Sequence, residues 1–488
     1  MVLVLCFLFC LQIHSCLSFN LTILHTNDVH GRFEETDEKG FACDATMERN
    51  CYGGMARIAN AINEVRRRKS NVVLIDGADR FTGTLWSEVY KGNATAVLFN
   101  ALNYTTITLG NHDFDYGPKI LTQYLRKNNC PVVVSNIDTT QEPLFDQCIP
   151  VVRNSVVVNV SGEKIGFVGY VLIETVNVSE PGENIKFMPY VKSVQKAVDD
   201  LLTKGVNKVI AVGHAGIRVD KEIAKKVVGV DVVVGGHSNT FLYSGDPPTN
   251  DRVQGPYPII IHPDHNSTLN VPVVQAYKYS KYLGELHVIF NEEGEVISWS
   301  GNPILMDSSV AKNKKVKELV NEMKQLVDKR GHDKIGQTKV ELSAIDCARK
   351  ACHLGDIVTS AMLHEFRQND ATIALFSGTG IRKGLPKDNE GYVLYKDLFE
   401  SFPYRNTIDM VELTGADLKR SLEKSGPLQM KGLKFQSSGT KQRTVKYLKI
   451  KKAHCPTTKE CYFPVNASKI YKVVADSYTV TTANKSVL

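Results

Sequence analysis

Residues 108–117 read TLGNHDFDYG: an Asn, a His and two Asp placed between two glycines. They follow LFNALNYTTI (98–107), which reads as a helix end running into a strand. Side chains of this kind are costly to bury unless something offsets their desolvation. A core strand ending in them is either capped by a solvated turn or closed on metal ions and a phosphate. Four other strand-like runs end in the same way: NLTILHTNDVHG (20–31), NVVLIDGADRFTG (71–83), NKVIAVGHAG (207–216) and VDVVVGGHSN (230–239). One polar strand end is noise, whereas five form a pattern, because loops at the carboxyl ends of strands converge on the ligand in α/β folds. Amphipathic helices separate the strands. GGMARIANAINEVRRRK (53–69) sets Met55, Ile58, Ala59, Ile62 and Val65 on one stripe, and VDKEIAKKV (219–227) is helix-like.

Taken singly, these side chains have bland readings: a lone Asp after a strand caps the next helix, and a lone His is packed or capped. Taken together they form a ligand set. Asp28 and His30 stand two apart, so in an extended strand end they point the same way. The carboxylate of Asp79 has two oxygens and can bridge two cations. Asn111 offers a neutral carbonyl oxygen, and His214 and His237 offer imidazoles, each directly after a Gly. A His/Asp/Asn set without thiolate suits Zn²⁺ or Mn²⁺. Two such ions about 3.5–4 Å apart clamp a phosphoryl group and lower the pKa of bound water to about 7. His25, His262 and His265 keep the bland reading, although IIIHPDHN (259–266) could lie nearby.

The whole chain sets the frame. Its 488 residues exceed one ordinary core and predict two domains. The formal charge of +7 reads as a lightly basic, spread-out surface, and nucleic acid is not an expected partner. Residues 1–18, apolar and without an acidic residue, read as a secretory signal cut before Phe19. The final TVTTANKSVL is not a lipid-anchor tail, so the expected product is secreted and without a membrane anchor. Eight cysteines remain after the signal, in the close couples Cys43/Cys51, Cys130/Cys148, Cys347/Cys352 and Cys455/Cys461. Nearest-neighbour pairing is the simplest of many possible connectivities. Zinc fits CARKAC and CPTTKEC less well, since no further Cys/His pair completes a four-ligand set. Seven glycosylation sequons begin at Asn20, Asn93, Asn103, Asn159, Asn177, Asn266 and Asn466.

ILHTNDVHGR (23–32), GADRFTGT (77–84), TLGNHDFDYG, GHAG (213–216), VDVVVGGHSNTFLYSGDPP (230–248) and VPVVQAYKYSKYLGEL (271–286) closely resemble the secreted and ecto-5′-nucleotidase family, salivary apyrases included. The likeness runs from Phe19 to about Leu305. It implies a layered α/β fold: a four-layer αββα metallophosphoesterase domain over 19–305, a bridging helix within 306–335, and a smaller α/β nucleotide-binding domain over 336–488. It also implies two divalent ions (Zn²⁺, Mn²⁺, Ca²⁺ or Mg²⁺). Asp28, His30, Asp79 and Asn239 would hold one; Asp79, Asn111, His214 and His237 would hold the other. Asp76 is the tempting wrong choice in DGAD. His112 and Asp115 match the family's catalytic pair, the imidazole meeting charge on the phosphoryl oxygens and the carboxylate orienting it.

In the C-terminal part the likeness thins. Arg382 in SGTGIRKG, Tyr404 in SFPYRNT and Tyr478 in VVADSYTV match an anion-binding arginine and two base-stacking aromatics. Ser377 and Thr379 depart from the family's Asn-Gly-Gly-Gly-Ile-Arg turn. Ala348 stands where the family has Arg, so Arg349 or Lys350 would have to substitute. TTANKSVL replaces a Gly-Gly-Asp-Gly-Phe turn, which predicts an incomplete C-terminal domain. The expected activity is apyrase-like hydrolysis of ATP and ADP, with AMP hydrolysis, non-catalytic nucleotide or host-factor binding, and phosphodiester hydrolysis as alternatives.

Overall fold

The computed structural model describes residues 18–488 except 44–49, 147, 149–150, 386–389, 405, 439–442, 452–460 and 485–488. The expected signal thus lies, but for Ser18, outside the described residues. Two sheets form the N-terminal part. The first runs in the order Val296–Gly301, Tyr282–Phe290, Phe19–Thr26, Val72–Asp76, Thr106–Ile107, Val132–Val133 and Val152–Arg153, with Ile304–Leu305 paired to Tyr282–Phe290. The second runs Ile259–Ile261, Val271–Val274, Val232–Val234, Lys208–His214, Glu163–Val171 and Ser155–Val160.

Inward residues of both sheets, among them Ile23, Val73, Ile75, Phe167, Ile210, Val212 and Val234, make one buried cluster between them. The outer face of the first sheet packs on the helices Met55–Arg68, Asn93–Asn100 and Gly117–Leu125. That of the second packs on Tyr190–Leu202 and Ile217–Lys226. The layering is helix, sheet, sheet, helix. The central strands are parallel and buried on both faces, which is why they read as continuous apolar runs.

The helix Lys314–Gly331 begins later than the charge pattern from 306 suggests. Asn313 caps it by accepting the Val316 N–H at 3.1 Å, and Met306 is held instead by backbone bonds to Gly53 and Lys281. Val316, Val320 and Val327 are its buried stripe. The helix touches Met55–Arg68, Leu85–Tyr90 and Tyr395–Ser401, so it lies against both parts of the chain. Beyond it stand a four-stranded sheet (Ile408–Thr414, Ile470–Asp476, Ile373–Ser377, Leu428–Lys431) and a three-stranded sheet (Leu433–Ser438, Thr444–Lys451, Tyr462–Pro464). Among the described residues no helix is long and apolar enough to cross a membrane.

Cys43–Cys51 and Cys347–Cys352 are disulfides, and Cys461 is disulfide-bonded while its expected partner Cys455 lies outside the described residues. The pairing of Cys130 with Cys148 is not formed. The Cys148 thiol points to the Thr122 carbonyl at 3.7 Å, whereas Cys130 lies toward Arg80 and Asp76, and both are held as thiols by packing in the first apolar layer.

Candidate metal centre

The strands Phe19–Thr26, Val72–Asp76 and Thr106–Ile107 end level with one another: Thr26 pairs with Asp76, and Asp76 with Ile107. In the second sheet His214 is the last residue of its strand, and Val234 ends the neighbouring one. Close approach of the two sheets here depends on glycine. A Cβ on Gly77 would sit 2.8 Å from the Gly235 carbonyl oxygen, and one on Gly236 would sit 2.5 Å from the Gly77 carbonyl oxygen.

Asp28 and His30 are not in extended backbone, contrary to the sequence reading. Both have φ of 51°, and Asp79 (54°), His237 (73°) and Asn239 (50°) share the left-handed region. Asp, Asn and His tolerate that conformation best among non-glycine residues, at a cost of about 1–3 kcal/mol each. Backbone bonds between the loops hold it: Asp28 N–H to Ala78 O and His30 N–H to Asp79 O, both 2.9 Å, and Gly31 N–H to Arg80 O, 2.7 Å. The strain turns five side chains into one space.

Two groups result. Asp28, His30 and Asp79 form one and Asp79, His214 and His237 the other, each with its candidate ligand atoms within 4.8 Å of one another. Asp79 is common to both. Its Oδ2 lies 2.9 Å from His214 Nε2 and 3.7 Å from His30 Nε2, while Oδ1 accepts the His112 N–H at 3.0 Å. A Cβ on Gly110 would lie 2.2 Å from that Oδ1, so only glycine fits there. The Nδ1 atoms of His30 and His214 face the carbonyls of Thr82 (2.8 Å) and Gly77 (2.5 Å), which aims each Nε2 inward. Asn111 Oδ1 stands 2.9 Å from His237 Nδ1.

The residues fit a pair of divalent cations. Among the described residues Asp28 Oδ1 and Asn239 Oδ1 are buried without a hydrogen-bond partner, and the buried His214 Nε2 faces Asp79 Oδ2; all three are donor atoms for a cation. Burial pushes the Asp79 carboxyl up, but His214, His112 and His30 outweigh it and hold it well below the usual range. Burial likewise opposes charge on His214, yet Asp79 and Asp28 carry it up to about 9. Burial and His214 push His237 down to about 4, leaving a neutral imidazole.

His112 Nδ1 faces Asp115 Oδ2 at 2.8 Å, and Asp115 Oδ1 accepts the Ser179 hydroxyl at 2.7 Å. Burial disfavours the imidazolium, but Asp115 and then Asp79 raise it to about 10. The His112 imidazole keeps 28% of its side chain exposed, against 15% for His30 and 2% or less for Asp28, Asp79 and His214. Phe114 and Tyr116 pack, the first against Phe187 and the second against Phe81.

Known proteins resemble the chain in sequence and in fold. Residues 21–241 match the calcineurin-like phosphoesterase family, and residues 334–486 match the 5′-nucleotidase C-terminal domain. The chain is 37% identical over 482 residues to 5′-nucleotidase of Bos taurus, covering 95% of this chain and 83% of the relative. It is 37% identical over 485 residues to the snake venom 5′-nucleotidase of Naja atra, covering 94% and 90%. A solved 5′-nucleotidase precursor from Thermus thermophilus superposes with a TM-score of 0.78 at 31% identity, covering 96% of this chain and 92% of that one. The chain belongs to the 5′-nucleotidase family.

As a family member it is a hydrolase with His/Asp groups suited to divalent metals. The expected shortfall of the C-terminal domain finds no support, since the family match extends to residue 486. There Ser477–Asn484 forms a helix that carries Tyr478 in its first turn.

Arg382, Tyr279, Arg32 and Tyr478 are all electrostatic neighbours of Tyr404, and Arg32, Tyr279 and Arg382 are also neighbours of one another. Asp476, fully buried, ties their loops together. It accepts the Ser377 N–H (3.0 Å), the Asn406 amide (3.2 Å) and the Thr479 hydroxyl (2.5 Å). Arg349 is not brought there. The loop closed by Cys347–Cys352 turns it outward, 76% exposed, beside Asp346 at 4.0 Å.

Sequence reasoning passed over several residues that build this region. Arg32 lies 3.8 Å over the Tyr279 ring, and its Nη1 donates to His30 O at 2.8 Å. Asn27 donates to Asp28 Oδ2 at 2.7 Å and accepts the Ala276 N–H at 2.7 Å. Arg80, fully buried, bridges Asp76 and Asp113 at 2.9 Å each. Asp76 is thereby engaged in structure and lies outside both ligand groups. Arg32 and Asn27 stand inside the quoted ILHTNDVHGR, so proximity to the DVH run was the available signal. His25 is packed on Tyr257, its Nε2 2.8 Å from the phenol oxygen, and burial pushes it down to about 3. His262 is exposed and faces the Leu269 carbonyl, and His265 is exposed.

Proposed function

We propose that the chain releases phosphate from nucleoside 5′-monophosphates such as AMP outside the cell. The observation that carries this reading is the pair of three-ligand groups sharing Asp79, next to the 2.8 Å contact of His112 with Asp115. Asp28, His30, Asp79 and Asn239 would hold one divalent ion, and Asp79, Asn111, His214 and His237 the other. When bound, such a pair clamps a phosphoryl group and supplies a nucleophile from water at neutral pH. With Nδ1 engaged by Asp115, His112 keeps Nε2 for a phosphoryl oxygen and donates a charged hydrogen bond where charge develops. Arg382 and Arg32 offset the negative charge of the substrate, and the rings of Tyr404 and Tyr478 offer faces to the base. The disulfides and the relation to venom 5′-nucleotidases support an extracellular site of action.

Hydrolysis of ATP and ADP by the same centre is the second reading. It is favoured by the openness of Tyr404 and Tyr478, 47% and 52% exposed, which lets a nucleotide shift to bring a terminal phosphate to the ligand groups. Phosphate release from AMP, ADP and ATP, measured side by side with and without EDTA, tests both. AMP turnover abolished by EDTA is expected. Release from ATP and ADP alone selects the second reading, and no release from any of the three overturns both.

A further inference from the structure

A hydroxyl from a later part of the chain backs the His112–Asp115 pair. After the strand Glu163–Val171 the chain runs through the short helix Thr175–Val178 to Ser179, the last residue of the sequon that begins at Asn177. Bonds that do not involve the Ser179 hydroxyl fix this segment. The Leu172 N–H donates to His214 O at 2.9 Å, the Thr175 hydroxyl to Leu172 O at 2.6 Å, and the Ser179 N–H to Thr175 O at 3.0 Å. The chain then passes beside the residues that follow Asp115: a Cβ on Gly182 would sit 3.3 Å from Pro118 Cγ. Val176, Asn177 and Val178 are exposed, whereas Ser179 is half-buried. Its hydroxyl donates to Asp115 Oδ1 at 2.7 Å, while Asp115 Oδ2 faces His112 Nδ1 at 2.8 Å. Among the described residues Ser179 is the hydrogen-bond partner of Oδ1.

We propose, resting on the roles assigned to His112 and Asp115, that Ser179 is a positioning residue for phosphate release: its hydroxyl holds the Asp115 carboxylate so that His112 stays aimed at the phosphoryl group. The torsion that turns a carboxylate about its Cβ–Cγ bond is broad, so one bond at Oδ2 leaves the plane of Asp115 free to rock. Bonds at both oxygens fix that plane, and the plane fixes the imidazole through Nδ1. Both bonds end on a carboxylate, which makes them stronger than bonds between neutral groups. Asp115 keeps only 9% of its side chain exposed, so water is a poor substitute for the hydroxyl. With Ser179 truncated, Oδ1 regains a partner only by rotating, and rotation draws Oδ2 off the ring. Phosphoryl transfer loses rate steeply when a participating group is displaced. Ser179 belongs to neither ligand group, so its loss acts on rate and leaves ion binding alone. A sequon needs a hydroxyl residue two places after an exposed Asn, but it does not need that hydroxyl bonded to a carboxylate. The two uses of Ser179 are therefore separable.

The test reads phosphate release from AMP by the full-length, metal-loaded protein, expressed in a host that attaches N-linked glycans. Ser179→Ala is expected to lower kcat by about ten- to a hundredfold, the rate equivalent of one hydrogen bond to a charged group. Its KM, bound metal and urea midpoint are expected to stay at wild-type values. Ser179→Thr keeps a hydroxyl in the same place and is expected to retain most of the wild-type kcat. Asn177→Gln removes the sequon but not the hydroxyl and is expected to match the wild type. His112→Ala/Ser179→Ala is expected to be no slower than His112→Ala, because the bond acts only through the imidazole. The proposal is overturned by an unchanged kcat in Ser179→Ala, by a fall in its bound metal, or by a Ser179→Thr protein as slow as Ser179→Ala. An equal loss in Asn177→Gln, or a further loss on top of His112→Ala, overturns it too. A slow His112→Ala beside an unimpaired Ser179→Ala removes Ser179 alone, whereas an unimpaired His112→Ala removes the roles of the pair and Ser179 with them.

Discussion

At the strand ends of the two N-terminal sheets, Asp28, Asp79, Asn111 and His214 keep 2% or less of their surface exposed, whereas Tyr404 and Tyr478 keep about half of theirs. The ligand groups are fixed from several sides: Asp28 by Asn27 and the His237 N–H, Asp79 by the His112 N–H, His30 and His214 by backbone carbonyls. The C-terminal groups share an anchor in Asp476, which bonds to the segments that carry Arg382, Tyr404 and Tyr478 rather than to those three side chains. Phosphoryl chemistry loses rate steeply when a group moves by an ångström. A base held between open rings tolerates such movement. Loss of a single atom should therefore be severe on the first side and graded on the second.

Asp79→Ala should have the largest effect, because both groups lose their shared carboxylate. Bound Zn²⁺ or Mn²⁺, counted by mass spectrometry of dialysed protein, should fall from two per chain toward none. Phosphate release should drop by about three orders of magnitude or more. Retention of two ions by Asp79→Ala would break the comparison at its root. His112→Ala should come next, lowering kcat by about 10²–10³ while metal content stays the same. In Asp115→Asn the imidazole loses the carboxylate that does most to raise it toward 10, so it deprotonates at a lower pH. The alkaline limb of its kcat profile should accordingly move to lower pH than in the wild type. An unmoved limb would show that Asp115 only positions the ring.

The two sides also differ in how much of each is legible in the sequence. Five strand ends with metal-type side chains announce the layered α/β fold, since long apolar runs ending in His, Asp and Asn suit buried parallel strands whose ends meet at a ligand. The convergence of Asp28 and His30 is anticipated there for the wrong reason: left-handed backbone and bonds to the next loop bring them together, and spacing in a strand does not. Arg80 stays invisible because its partners, Asp76 and Asp113, come from two different strand ends. On the C-terminal side, Arg349 is suggested only by its neighbourhood to Cys347. The turn direction of a disulfide loop, which decides where that side chain goes, is not written in local composition.

Arg80→Ala sharpens the comparison on stability rather than rate. It leaves Asp76 and Asp113 buried without their cation, a situation that costs about 3–5 kcal/mol. Urea denaturation should show the loss, and a small change would mean that the strand ends are held by backbone alone.

The smallest effects belong to the open side. Tyr404→Ala should raise KM for AMP by roughly five- to a hundredfold, the range expected for one base stacked on one ring, with kcat little changed. Arg382→Ala should also raise KM. Arg349→Ala should leave both parameters within about twofold, because an arginine 76% exposed beside Asp346 contributes little at the surface. The pair of arginines is the sharper measurement. If Arg349→Ala raised KM as much as Arg382→Ala, the loop closed by Cys347 and Cys352 would have to swing toward Tyr404 when substrate binds. The C-terminal side would then owe its openness to the absence of substrate, and the contrast with the strand ends would be one of state rather than of architecture.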